Sequence, residues 1–179
     1  MNVLPEIRPL LAEDRLNALG PGSPNLAVRS QLQETERILP AQAKDRDFAL
    51  ACMAGLWLHH DFFDESHAIS QDLDTIEGSY WHGILHRREP DYGNAKYWFQ
   101  RVGEHPIHEE LRAAVVRYSK GRMWPTFLGQ KGWDAAGFVD LCRMQADPHA
   151  LAHEYCREVQ RIEWNLLFVY CHDRAFVFV

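Results

Sequence analysis

Two short segments of the chain concentrate the side chains that bind metal ions and transfer protons. The first, residues 59–67, reads HHDFFDESH, and the second, residues 82–89, reads HGILHRRE. On an α-helix, residues 0, 4 and 7 positions apart share one face. This spacing occurs in two triplets: His60, Asp64, His67 and His82, His86, Glu89.

Histidines four residues apart on one helical face can hold a single metal ion, because both rings reach the same point above the helix. A carboxylate one turn away can add a ligand or act as a general base. Two such helices facing each other predict a divalent metal site, in which Asp64 and Glu89 are the catalytic carboxylates. The predicted metal ligands are His60, His67, His82 and His86. Several divalent metals accept imidazole ligands, so the spacing leaves the identity of the metal open.

Cationic and amide side chains follow the second triplet closely. The predicted substrate-binding residues are Arg87, Arg88, Asn94 and Lys96. Arginine binds carboxylates and phosphates through two parallel hydrogen bonds, so this group predicts a small anionic substrate. In the alternative interpretation these cations form salt bridges between helices, with Glu89, Asp91, Asp61 or Asp64 as partners.

These residues support three hypotheses about function. The first is a metal-dependent enzyme that acts on a small anionic substrate, with its site between helices near 43–67 and 79–89. The second is a metal-free binding module for a small carboxylated or phosphorylated ligand. The third is a buried polar network that only holds helices together. Histidine pairs at helical spacing also occur at His105/His108 and His149/His153, so spacing alone does not decide among them.

The first triplet follows an apolar run, which indicates the element that positions it. Phe48–Leu58 contains eleven residues without a charge. A helix that crosses a membrane needs about 20 apolar residues, so this run predicts a buried core helix instead. We expect one long helix over 43–67, with His60, Asp64 and His67 pointing along the line of Met53 and Leu56. The second triplet lies on a helix over 79–89 with Ser79 as its N-cap.

Helical periodicity extends over most of the chain. A short first helix ends at the Gly20–Pro24 break, a second helix over 25–39 stops before Pro40, and the last long helix starts at Asp147 and Pro148. The final AFVFV segment is a short strand or an apolar tail. A chain of 179 residues suits one core, so we predict an all-α, single-domain bundle of about seven to eight helices.

Charge and cysteine content narrow the classes of partner. The net charge of −6 argues against nucleic-acid binding and against docking on anionic membranes. The four cysteines form no C-x-x-C pair, which predicts buried free thiols and a cytoplasmic location. A homodimer whose interface is the aromatic loop 123–133 or the apolar C-terminus is one expectation, and packing of these segments against the rest of their own chain is the alternative.

The central segment resembles a group of small proteins found in bacteria and filamentous fungi. The resemblance lies in the patterns H-D-x-x-D-x-S-H, W-H-x-I-x-H-R-R-E-P-D and N-x-K-Y-W-F, and it spans about His60–Pro106, under a third of the chain. It implies that the residues of both triplets and the basic group belong to one unit. It implies no reaction and no role for an individual residue.

Overall fold

The structure is a computed structural model, and it describes residues 3–13, 15–120 and 132–176. Within these ranges it contains eight α-helices, two short 3-10 helices (Arg8–Leu11 and Leu26–Val28) and no β-strand, which confirms the all-α bundle. The α-helices are α1 (Arg29–Gln42), α2 (Arg46–His59), α3 (Phe63–Asp72), α4 (Ile76–Arg88), α5 (Tyr92–Val102), α6 (His108–Ser119), α7 (Ala135–Met144) and α8 (His153–Phe176).

Helix α2 lies at the centre of the bundle because it is apolar on every side. The side chain of Asp45 caps its start by accepting hydrogen bonds from the backbone N–H groups of Asp47 and Phe48. From Ala51 to its end every residue is buried, and the helix packs against α1, α3, α4 and α8. Gly55 permits the close approach of α4, since a Cβ atom there would lie 2.7 Å from the Trp81 ring.

The expected single helix over 43–67 was wrong, because the chain turns sharply between α2 and α3. Helix α2 ends at His59, and Asp61 adopts a left-handed backbone conformation with φ of 63°. Helix α3 then folds back onto α2, where the Ser66 hydroxyl donates to the Ala54 carbonyl at 2.9 Å. His60 and His67 therefore belong to different elements and share no helical face.

Three other boundaries differ from the sequence-based expectations. Thr75, not Ser79, caps α4, since its hydroxyl oxygen accepts from the Gly78 N–H. Pro40 lies inside the last turn of α1, and the helix continues past it for two residues to Gln42. Helix α8 begins at His153 rather than at Pro148, and the described part of the AFVFV segment continues that helix to Phe176.

Helix α4 is unusual because it buries charged side chains within the bundle. Arg87 and Glu163 of α8 are both fully buried and pair at 2.5 Å. The Tyr80 hydroxyl donates to the second oxygen of Glu163 at 3.2 Å, and the Arg87 guanidinium lies 4.6 Å from the centre of the Phe138 ring. This network ties α4 to α8 and α7.

The cysteines are free and buried at all four positions, as the sequence predicted. In the described part of the chain, no helix combines the length and the apolar character that crossing a bilayer requires. The two expected dimer surfaces fall mostly on residues 121–131 and 177–179, which lie outside the described residues.

We expect Glu163→Gln to destabilise the protein strongly, because it leaves the buried Arg87 guanidinium without a counter-charge. The free energy of unfolding should fall by about 3–5 kcal/mol. A matched control on the same helix is Glu154→Gln, which removes a 66% exposed partner of Arg157 and should cost at most about 1 kcal/mol. Urea denaturation of the three proteins measures both values, and equal stabilities would contradict the role of the pair.

Candidate metal centre

Three histidines converge between α3 and α4. His82 and His86 lie one turn apart on α4, and His67 projects towards them from α3. One ring nitrogen from each lies within 4.8 Å of the others, and the ring centres are 4.6 to 5.5 Å apart. The structure thus brings together three of the four predicted ligands, and two helices supply them.

The spacing of these nitrogens is compatible with a single metal ion after a small adjustment. A tetrahedral ion with metal–nitrogen bonds of about 2.0–2.1 Å places its ligand nitrogens about 3.3 Å apart. The upper limit of 4.8 Å leaves a gap that small side-chain rotations can close. His67 is only half-buried, and that partial exposure gives its ring room to move.

Helix α5 contacts the rings of His82 and His86. Trp98 stacks on His82 with ring centres 4.1 Å apart and planes 12° apart. The Asn94 side-chain amide lies 3.0 Å from Nε2 of His86. Because Asn94 and Trp98 are themselves four residues apart, both side chains reach α4 from one face of α5.

The Nδ1 atoms of His82 and His86 have different surroundings. Both are buried, and Nδ1 of His82 has no hydrogen-bond partner in the described part of the chain. Glu89 Oε2 lies 3.0 Å from His86 Nδ1 and is the ion-pair partner of that ring whenever the ring is protonated. The Asn94 side-chain nitrogen lies 3.0 Å from His86 Nε2, which places the lone pair of that ring on Nε2; a 180° rotation of the Asn94 amide would bring its oxygen there and leave the lone pair on Nδ1.

The electrostatic surroundings keep these rings uncharged. Burial, followed by the neighbouring His86 and His67, lowers the pKa of His82 to about 4, while a backbone hydrogen bond at Ser70 opposes the shift. Burial likewise lowers the pKa of His86, and Glu89 opposes it. Metal ions bind the neutral imidazole, so both rings are in the ligand form at neutral pH.

The structure places His60 apart from these three histidines. Its Nε2 lies 2.8 Å from the Leu10 carbonyl, and its Nδ1 lies 3.5 Å from the Asn25 side chain. Because α2 ends one residue earlier, His60 turns towards the N-terminal segment instead of continuing the line of Met53 and Leu56. Both of its nitrogens thus face partners in that segment.

Most of the predicted basic group is engaged elsewhere. Arg87 is fully buried against Glu163, and Arg88 is buried against Asp61, one of the salt-bridge partners that the alternative interpretation named. Lys96 pairs with Asp140 of α7 at 2.6 Å. Of the four predicted substrate-binding residues, only Asn94 contacts a histidine of the cluster.

Of the two predicted carboxylates, Glu89 has a contact with the histidine cluster. Glu89 is exposed and close to His86, although residue 89 is the C-cap of α4 and no longer helical. Asp64 is exposed on α3, one turn before His67. Sequence reasoning did not assign Trp98 to this site, and the four-residue interval from Asn94 was the signal that could have done so.

No protein-family model, no curated protein and no solved structure matches the chain. The resemblance over His60–Pro106 therefore stays a hypothesis.

His59, next to His60, is buried at the end of α2 against Trp164, with ring centres 4.7 Å apart. Burial, followed by His60, Arg15 and Arg88, lowers its pKa to about 3. The unfolded chain has the higher pKa, so it takes up a proton first as the pH falls. His59 thus contributes stability above its unfolded pKa of about 6.5 that is progressively lost below it.

We expect the free energy of unfolding to fall between pH 7 and pH 5, with about 2 kcal/mol of the decrease due to His59. For His59→Gln, the free energy of unfolding should fall by about 2 kcal/mol less over the same pH range. Exposed His149 provides a matched control, and His149→Gln should follow the native protein. Urea denaturation at both pH values tests this, and equal pH dependence in all three proteins would contradict it.

Proposed function

We propose that this protein is a metal-dependent enzyme that acts on a small anionic substrate, with a divalent ion held by His67, His82 and His86. The observation that carries the proposal is the convergence of one nitrogen from each ring within 4.8 Å. Three histidine ligands leave coordination positions open, and an ion held in this way can polarise a substrate oxygen or activate water.

The unpartnered nitrogen of His82 favours a metal over a purely structural network. Buried polar atoms in folded proteins almost always have a hydrogen-bond partner, and a network that only joined helices would use its ring nitrogens for that purpose. Nδ1 of His82 has none among the residues that the structure describes, and Nδ1 of His86 lies 3.0 Å from the Glu89 carboxylate. A bound cation would satisfy both atoms at once.

The surrounding side chains have distinct proposed roles. Trp98 fixes the plane of His82, and Asn94 fixes the ring of His86 through its Nε2. Glu89, close to Nδ1 of His86, can complete the ligand set or accept a proton. Asp64, exposed one turn from His67, is the second candidate for a general base.

We expect the purified protein to contain close to one equivalent of a divalent metal. The double variant His82→Gln/His86→Gln should lose this metal, because glutamine keeps much of the side-chain volume but offers no imidazole nitrogen. His149→Gln, which changes an exposed histidine, should keep it. Elemental analysis with thermal denaturation in chelator tests the proposal. Metal-free native protein whose melting temperature is insensitive to chelator and to added metals would refute it.

We expect Glu89→Gln to weaken metal affinity by about 10- to 100-fold, because the carboxylate lies next to the nitrogen of His86 that faces the ion. The measurement is competition with a chromophoric chelator at fixed pH. Glu104→Gln, which makes the same charge change at an exposed position beyond the end of α5, is the control. Equal affinities of the two variants would show that Glu89 takes no part in binding.

A further inference from the structure

A cavity of about 350 Å³ lies along one face of α8, apart from the histidine cluster. Helix α8 contributes side chains at intervals of three and four residues, which form a single stripe. These residues are Arg157, Gln160, Arg161, Trp164 and Asn165. The ends of α2 and α4 and the N-terminal segment between Val3 and Asn17 complete the wall.

Five arginines among the described residues line this cavity, although the chain carries a net charge of −6. Among the described residues that line it, the arginines are Arg8, Arg15, Arg88, Arg157 and Arg161. Glu13 is the one acidic residue among them, and it is 63% exposed. Its pair with Arg15, at 3.3 Å, is therefore a weak one that an incoming anion can replace.

Some of these cations are committed to other partners within the protein. Arg88 and Arg15 share the Asp61 carboxylate. Arg157 pairs with Glu154 at 3.0 Å, and Arg161 pairs with Glu158 at 2.8 Å. Arg8 is exposed and donates through Nε to the Val3 carbonyl at 3.1 Å, and it forms no ion pair with a described carboxylate. Arg8 is thus the cation best able to hold a ligand's charged group.

Two buried polar atoms on the wall lack a partner in the described structure. Gln160 is 4% exposed, and its amide nitrogen donates to the Ala18 carbonyl while Oε1 accepts nothing. His59 is 8% exposed, and its Nε2 is also unpaired. Both residues line the cavity, so they add polar side chains to a wall that is otherwise cationic and apolar.

The remaining wall is apolar, with Leu58, Ile84 and Trp164 as its main contributors. Ligand cavities of about 300 to 1,000 Å³ typically combine such an apolar wall with a few convergent polar groups. The size, the apolar wall and the exposed cation of Arg8 together define the class of ligand.

We propose that this arginine-lined cavity binds a small organic anion that has an apolar body. The site is separate from the histidine cluster. Ile84 and Arg88 line the cavity from α4, and they are offset by two residues, or about 200°, from His82 and His86. The two pairs thus lie on opposite faces of that helix, so the proposal is independent of the metal.

Calorimetric titration with mandelate, phenyl phosphate and neutral mandelamide tests the proposal. Mandelate and phenyl phosphate distinguish a carboxylate from a phosphate as the charged group, and mandelamide lacks the charge. We expect at least one of the two anions to bind with a millimolar or lower Kd, and mandelamide to bind more weakly. Protein treated with chelator should give the same Kd, so that failure of the metal proposal and failure of this one are distinguishable.

Two variants and one control locate the binding. Gln160→Glu places a negative charge inside the cavity and should raise the Kd by about tenfold or more. Arg8→Gln removes an exposed cation, so it should keep the fold and still weaken binding. Arg46→Gln makes the same charge change at an exposed position of α2 and should leave the Kd unaltered. The proposal is overturned if neither anion binds, or if Arg8→Gln and Arg46→Gln bind equally well.

Discussion

The burial of two adjacent arginines on α4 is the constraint on which the rest of the structure depends. Arg87 and Arg88 have almost no exposed surface, and neither can lose its charge at physiological pH. Each therefore needs a buried counter-charge, and their side chains leave the helix about 100° apart. Glu163 of α8 pairs with Arg87, and Asp61 of the α2–α3 turn pairs with Arg88. These two pairs fix the rotation of α4 within the bundle.

Asp61 does more than neutralise one cation. It also accepts hydrogen bonds from Arg15 at 2.9 Å and Asn17 at 3.1 Å, so it attaches the N-terminal segment to the centre of the bundle. A Cβ atom on Gly22 would lie 2.4 Å from the Asp61 carboxylate, so only glycine fits there without displacing it. The positive φ of Asp61 belongs to the turn that ends α2, and the same turn directs the Asp61 carboxylate towards Arg88.

Sequence patterns predicted the elements of this fold better than their junctions. The apolar run Phe48–Leu58 correctly indicated a central buried helix, because a helix at the protein surface carries polar residues on at least one face. The end of that helix could not be predicted from its own residues. It depends on Asp61 meeting Arg88, 27 positions away in the chain, and tertiary contacts of this kind leave no periodic signal. The same holds for Glu163, which lies 76 positions from Arg87.

The candidate site was predictable to the extent that it is local. His82 and His86 lie on one helix, and their four-residue interval indicated a shared face. His67 was included on the basis of a continuous helix that does not exist, and it reaches the cluster because α3 folds back onto α2. His60 was included for the same reason, and the turn directs it to Leu10 instead. One interrupted helix thus explains the different positions of these two histidines.

Burial has different consequences for the histidines and for the arginines of α4. Removing water from an imidazole favours its neutral form, and His82 and His86 can respond by staying unprotonated. Arginine has no such response, so the protein must supply a carboxylate for each one. The histidines are thereby left with unshared electron pairs and no charge, which is the state that a metal ion requires. The arginines, once paired, fix the rotation of α4 that brings one ring nitrogen each of His82 and His86 within 4.8 Å of a ring nitrogen of His67.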